Sequence, residues 1–351
     1  MNENIPLIGP LLTSSPPVLS DDDAATFARD LYGIDAKVRR LTSERDTNFH
    51  LLLDDGRGYV LKIANAAEPP EITNFQTEAL LHIERTDPSL PVPRVQHMLD
   101  GRTEISLPMK DGTVSVVRLL SFLEGEPLHR TPTGTLQRRN IGRCLASLGL
   151  VLRNFDHGAA DHDLLWDIKN AARLRSLLPS IIDSDLRQLA EKHLDMFNRE
   201  LAPVLPTLRS QVIHNDFNPH NVLVDGDRPD TITGILDFGD MVWTPLILDV
   251  AIAASYLTSV GSSPLENVSE FLAAYHEVSP LERQEIDILF DLIVTRLVTT
   301  VAITNWRAAR YPENSAYILR NNQPARDGLA RFATLSRKEV RRHFSRACGL
   351  E

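Results

Sequence analysis

Cysteine is almost absent from this chain: there are two in 351 residues, Cys144 and Cys348. That excludes a disulfide framework and a cysteine-rich zinc site, and it suits a reducing, cytoplasmic compartment. A basic excess is missing too. The formal net charge is -10, which argues against nucleic-acid binding and suits a soluble protein. No uninterrupted apolar run is long enough for a membrane span. The longest, "IDILFDLIVTRLVTTVAITNW", is broken by Asp287, Asp291 and Arg296, so a buried helix is expected and no membrane partner. The opening "MNENIPLIGPLLTSSPP" has no basic leader region. Internal repeats and low-complexity blocks are lacking.

What is present fits one large or two mid-sized domains. Residues 20–33 read as a helix, with Ser20 as N-cap, three Asp in the first turn and Gly33 as C-cap. "AKVRRL", "NFHLLL" and "YVLKI" read as strands, the last two joined by a "DDGRG" turn. "PEITNFQTEALLHIERT" reads as a helix, because Ile72, Phe75, Ala79, Leu80 and Ile83 share one stripe. "RVQHMLD", "TEISLPM" and "TVSVVRLLSF" read as three more strands. After Phe122 the pattern turns helical, apart from strands near "HNVLV" and "TITGIL". The expectation is an α+β chain of two lobes. Residues 1–123 form a β-rich N-terminal lobe with one embedded helix. Residues 124–351 form a mainly helical lobe, and Gly125 and Pro127 allow a hinge at the boundary.

The chemistry concentrates in "QVIHNDFNPHNVLVDGDRPDTITGILDFGD". His214 and Asp216 are followed by Asn221, and then by Asp237-Phe238-Gly239. This is the H-x-D-x-x-x-x-N … D-F-G spacing of phosphoryl transfer. The stretch between is long enough for one hairpin, which predicts that Asp216, Asn221 and Asp237 converge. Magnesium is a hard cation that prefers oxygen ligands, which Asn221 and Asp237 offer. Asp216 is then left to accept the proton of a hydroxyl. The pattern demands a strand Lys for phosphate and a helix Glu to hold it; Lys62 and Glu78 are in the expected order. A competing reading makes His214, Asp216, His220 and Asp237 ligands of a hydrolytic metal, but it leaves Lys62 and Glu78 unexplained.

"SERDTNFHLL", "HNDFNPHNVLV" and "GILDFGDM" resemble the aminoglycoside phosphotransferase and choline kinase branch of the protein-kinase-like fold. They are most similar to hydroxylysine kinases and to kinase modules fused to aminotransferases. The resemblance runs from about Ala36 to about Arg310. It implies a two-lobed kinase, ATP or GTP, magnesium and a small hydroxyl-bearing acceptor. It also implies that His214 and Asp249 brace the catalytic loop. The adenine ring is expected at the backbone between Ser121 and Leu123. One departure stands out: the turn "LTSERDTNF" has no glycine, where protein kinases use a glycine-rich loop. Ser43 and Thr47 are its candidate phosphate contacts.

No long activation segment follows D-F-G. In "GDMVWTPLILDVAIAASYL", Thr244 as N-cap and Pro245 at the first helical position predict an immediate helix. That leaves no platform for a peptide and favours a small acceptor. Arg296, Thr300 and Arg307 fall within about 40° on a helical wheel. Arg296 and Arg307 are therefore candidates for gripping an acceptor carboxylate; the alternative for Arg296 is pairing with an acidic neighbour. Trp166 and Asp167 are candidates for meeting an ammonium group, and a core Trp beside an N-cap Asp is the alternative. A hydroxylysine-like amino acid is the first choice of acceptor. Homoserine, choline-like amino alcohols and aminoglycosides follow, and a nucleotide-binding pseudokinase is the reading from another class.

Overall fold

The first described helix is set by its caps. In a computed structural model, which describes residues 14–43, 45–261, 263–332 and 334–350, helix α1 spans Asp21–Tyr32. Ser20 and Asp23 form a reciprocal capping box, and Gly33 closes the helix at φ 67°. The chain packs as two units. The N-terminal unit holds the residues up to Gly125 with Phe155–Ala160 and Thr233–Gly239, and the C-terminal unit holds the remainder.

The N-terminal unit is an antiparallel sheet with a helix against it. Strands β1 (Lys37–Leu41), β2 (Thr47–Leu52) and β3 (Gly58–Ile63) precede helix α2 (Pro70–Thr86). Strands β4 (Val95–Gln96), β5 (Glu104–Pro108) and β6 (Val114–Ser121) follow it. The order is β1-β2-β3-β6-β4, with β5 also on β6. All five residues of the predicted α2 stripe are buried. β4 is shorter than the sequence suggests, because Met98 N–H bonds Arg102 and Gly101, at φ 87°, turns the chain there.

Register puts Asn48, Lys62, Arg118 and Glu104 side by side across β2, β3, β6 and β5. Side chains so aligned share one face of the sheet. Arg118 and Glu104 of this polar row reach α2. Arg118 donates to the Thr73 carbonyl at 3.3 Å, to Thr77 Oγ1 at 3.0 Å and to Gln76 Oε1. Glu104 accepts from Asn74 and Thr77.

The C-terminal unit starts with β7 (Glu126–Pro127), α3 (Thr135–Leu152) and α4 (Ser184–Met196). Then come β8 (Ser210–Ile213), β9 (Val222–Val224), β10 (Ile232–Ile235) and β11 (Val242–Pro245). Most of β10 belongs to the N-terminal unit, where Ile235 N–H bonds the Pro91 carbonyl at 2.7 Å. Helices α5 (Ile247–Ser255), α6 (Pro264–Val278), α7 (Arg283–Arg310), α8 (Ser315–Ile318), α9 (Asn322–Phe332) and α10 (Arg337–Ala347) complete the unit. α7 is the central, largely buried helix. Its Thr295 hydroxyl donates to the Asp291 carbonyl at 2.7 Å and so accepts from buried His193 Nε2 at 2.8 Å. No helix among the described residues is long and apolar enough to cross a membrane.

The helix expected to start at Thr244 starts later. Val242–Pro245 is a strand paired with β8, and α5 begins at Ile247. The Thr244 hydroxyl donates to Asp167 at 3.2 Å instead of capping. Strand pairing satisfies more of the backbone than an early helical turn would.

Candidate active site

In the C-terminal unit the segment after β8 turns sharply. Asn215 has a left-handed backbone, φ 62°, a conformation that costs energy outside glycine and persists only where the surroundings impose it. Asp249 on α5 does the imposing. Its Oδ2 accepts the His214 N–H at 3.2 Å and its Oδ1 accepts the Asn215 N–H at 2.9 Å. Burial pushes the Asp249 carboxyl up, opposed by His214 and by these two N–H bonds. His214 is fully buried, and its Nδ1 accepts the Asp216 N–H at 3.2 Å, which puts the ring proton on Nε2.

This frame presents Asp216. Asn218 and Asn221 then wind back under it: Asn221 Nδ2 donates to the Asp216 carbonyl at 3.0 Å and to Asp216 Oδ2 at 2.7 Å. With its amide nitrogen so committed, the Asn221 carbonyl oxygen is oriented away, as a neutral hard ligand should be. The other oxygen of Asp216, Oδ1, accepts from Arg296 Nη2 at 3.2 Å. Arg296 also donates to Tyr256 Oη at 3.3 Å and to the Trp166 carbonyl at 3.3 Å, and its guanidinium lies 5.1 Å from the Trp166 ring. It is only 2% exposed. Burial pushes its pKa down, but Tyr256 and Asp216 outweigh that and leave it above the ordinary value.

The remaining C-terminal candidates separate. Trp166 is beside Arg296. Asp167 is fully buried, caps Lys169 N–H at 3.0 Å and sits 3.3 Å from Lys169 Nζ, so its carboxylate is committed to structure. Arg307 is buried on α7, but eleven residues beyond Arg296 is about 16 Å along a helix. The two side chains therefore leave α7 at well-separated heights. The wheel gave the shared direction and omitted the rise. His220 bonds Asn321 Oδ1 at 3.1 Å and stacks near His129 at 4.0 Å.

In the N-terminal unit Lys62 does not pair with Glu78. Among the described residues its ion pair is with Asp46, Nζ to Oδ2 at 3.8 Å. The reason lies in the polar row: Arg118, next to Lys62, already occupies the inner face of α2. Asp46 belongs to the glycine-free turn, which also carries Ser43. Buried Asn65 pins that turn, donating its N–H to Asp46 Oδ1 at 3.1 Å and its Nδ2 to the Arg45 carbonyl at 2.9 Å. Thr47 is buried and donates to the Pro17 carbonyl at 2.6 Å, which takes its hydroxyl out of the turn. Asp237 is exposed and has a left-handed backbone, φ 59°. A Cβ on Gly239 would stand 3.5 Å from Arg45 Nη2, so a guanidinium lies alongside D-F-G. Ser121 N–H bonds the Arg94 carbonyl and Phe122 N–H bonds the Gly58 carbonyl; Leu123 follows outside these two bonds.

Sequence reasoning missed Asp46, Arg118 and Tyr256. Tyr256 had a usable signal: it lies seven residues after Asp249, two turns along the same helix face.

The mouse (Mus musculus) protein named hydroxylysine kinase is 29% identical over 331 residues, which is 87% of this chain and 87% of that one. The solved structure of an amicoumacin kinase with AMP-PNP and Ca2+ matches with a TM-score of 0.67 at 15% identity, covering 92% of this chain and 94% of that one. A microcompartment-associated aminopropanol kinase matches at 0.65 and 19%, covering 93% and 99%. These two establish the protein-kinase-like α+β fold. The phosphotransferase enzyme family matches residues 37–285, a span that contains the β1–β2 turn, Lys62, Asp216, Asn221 and Asp237. The chain belongs to that family and is a small-molecule kinase.

Proposed function

We propose that this kinase transfers the γ-phosphate of ATP or GTP to the hydroxyl of a small hydroxy-amino acid, with a hydroxylysine-like acceptor as first choice. The observation that carries the reading is Asp216, a carboxylate presented by a strained turn and steered on both oxygens, with Arg296 beside it. The likeness to hydroxylysine kinase along most of both chains supports the choice of acceptor.

In this mechanism Asp216 receives the hydroxyl proton of the acceptor. The hydroxyl oxygen bonds the γ-phosphorus as the bond to the β–γ bridging oxygen breaks, and the nucleoside diphosphate leaves. Lys62 holds α- and β-phosphate oxygens. Asn221 and Asp237 offer an amide oxygen and a carboxylate, the donor types that magnesium prefers. When bound, the ion neutralises charge on the transferring group. Ser43 in its turn and the Leu123 backbone contact the nucleotide. Glu78 has no ion pair with Lys62, and Asp46 takes over that steering role.

The test is magnesium-dependent consumption of ATP and GTP against hydroxy-amino acids, amino alcohols and aminoglycosides. Turnover of hydroxylysine or a close analogue, abolished in Asp216→Asn, is the expected result. Nucleotide binding without turnover of any acceptor would make the chain a pseudokinase.

A further inference from the structure

We infer that Arg296 is an interlock on the catalytic carboxylate. Without acceptor it occupies Asp216, and the carboxylate of the incoming acceptor draws it away. The inference rests on the reading of the acceptor as a hydroxy-amino acid.

Both oxygens of Asp216 are engaged, Oδ2 by Asn221 at 2.7 Å and Oδ1 by Arg296 at 3.2 Å. Each oxygen keeps a lone pair, but a cation bonded to Oδ1 favours the ionised carboxylate and lowers its pull on a hydroxyl proton until that cation leaves. Asn221 makes the shorter bond and is anchored a second time to the Asp216 carbonyl. Arg296 makes the longer one, and its Nη2 is shared with Tyr256 at 3.3 Å.

Arg296 also has an unused donor. Its Nε–H has no hydrogen-bond partner among the described residues, although the side chain is almost wholly buried. Nε and Nη2 form one edge of a guanidinium, the edge that takes a carboxylate with two parallel bonds. Here Nη2 serves Asp216 and Tyr256, and Nε serves nothing among the described residues. An acceptor carboxylate fills both positions and removes an unsatisfied buried donor. The guanidinium is already held by the Trp166 carbonyl and ring, so it has only to change anionic partner. Asp216 Oδ1 is then released to the hydroxyl of the same molecule. Water, and amino alcohols without a carboxylate, leave the pair closed.

The test compares, on the wild-type enzyme, nucleotide hydrolysis alone, turnover of the hydroxy-amino acid, and turnover of the same molecule lacking its carboxylate. The expected kcat for the decarboxylated analogue is lower by about 100-fold or more, and propionate supplied alongside it restores part of the loss. In Arg296→Gln, acceptor-independent hydrolysis rises, the preference for the acid shrinks to within about 10-fold and propionate has no effect. A decarboxylated analogue with the same kcat as the acid in the wild type overturns the interlock. So does an Arg296→Gln protein that keeps the full preference. If no hydroxy-amino acid is turned over while another acceptor is, the acceptor reading has failed first. The wild-type comparison stands even if Arg296→Gln does not fold.

Discussion

The side-chain amide of Asn221 donates to the carboxylate of Asp216 at 2.7 Å, so in the proposed mechanism one residue steers the base and keeps its own oxygen for magnesium. Asn221→Asp keeps an oxygen ligand but replaces the donor by a second carboxylate. Like charges at that distance disfavour ionisation of both. The expected outcome is a kcat lower by about 100-fold or more, with magnesium still able to support nucleotide binding. Steady-state kinetics across a magnesium titration checks it.

Asp249 holds two backbone N–H groups at the strained Asn215 turn. An amide has one acceptor oxygen, so Asp249→Asn leaves one buried N–H unpaired, at a cost of about 1–3 kcal/mol. Asp249→Ala leaves both. Urea unfolding should rank wild type above Asp249→Asn and Asp249→Ala last. Activity should fall in the same order, because the turn that presents Asp216 is released.

His193 gives stability a pH dependence. Burial, and then Arg337, pushes its pKa down from 6.5 to about 4. Between those values the unfolded chain takes up a proton that the folded chain refuses, so stability falls as pH drops through the window. The contribution is about 2 kcal/mol near pH 5 and vanishes above pH 7. His193→Gln should flatten the change in Tm between about pH 7.5 and about pH 5. His220, also pushed down to about 4 by burial, leaves a residual slope of the same sign. An unchanged slope in the variant would show that His193 is protonated in the folded state.

Helices α3 and α6 approach closely at Gly142, where an added Cβ would overlap the Phe271 carbonyl oxygen. Backbone cannot swing aside as a side chain can. Gly142→Ala should therefore lower unfolding free energy by about 1–3 kcal/mol, despite the better helix propensity of alanine. Thermal or urea melts decide it, and a stabilised variant would mean that the two helices slide apart freely.

Local features were legible before the structure was. The apolar stripe of α2, the Ser20 and Gly33 caps and the Asp216–Asn221 spacing each depend on neighbours in sequence, and each stands in the structure. What depended on distant neighbours was not legible. Lys62 was expected on Glu78, but the register that sets Arg118 between the sheet and α2 is a property of β3 and β6 together. Thr244 looked like a cap because β8, which claims its strand, lies some thirty residues earlier. Asp167 looked available because its buried partner Thr244 is remote in sequence. Arg307 shares the direction of Arg296 but stands about three turns further along α7, and a wheel has no axial coordinate.

Protein kinases are commonly switched by swinging the helix after β3 inward and outward, making and breaking a Lys–Glu pair. Here that helix is bolted to its sheet by three hydrogen bonds from one buried cation, Arg118, and the Lys–Glu pair is not formed. An outward swing would strand a desolvated guanidinium. Helix α2 is thus tied to its own sheet by contacts that any outward swing would have to break.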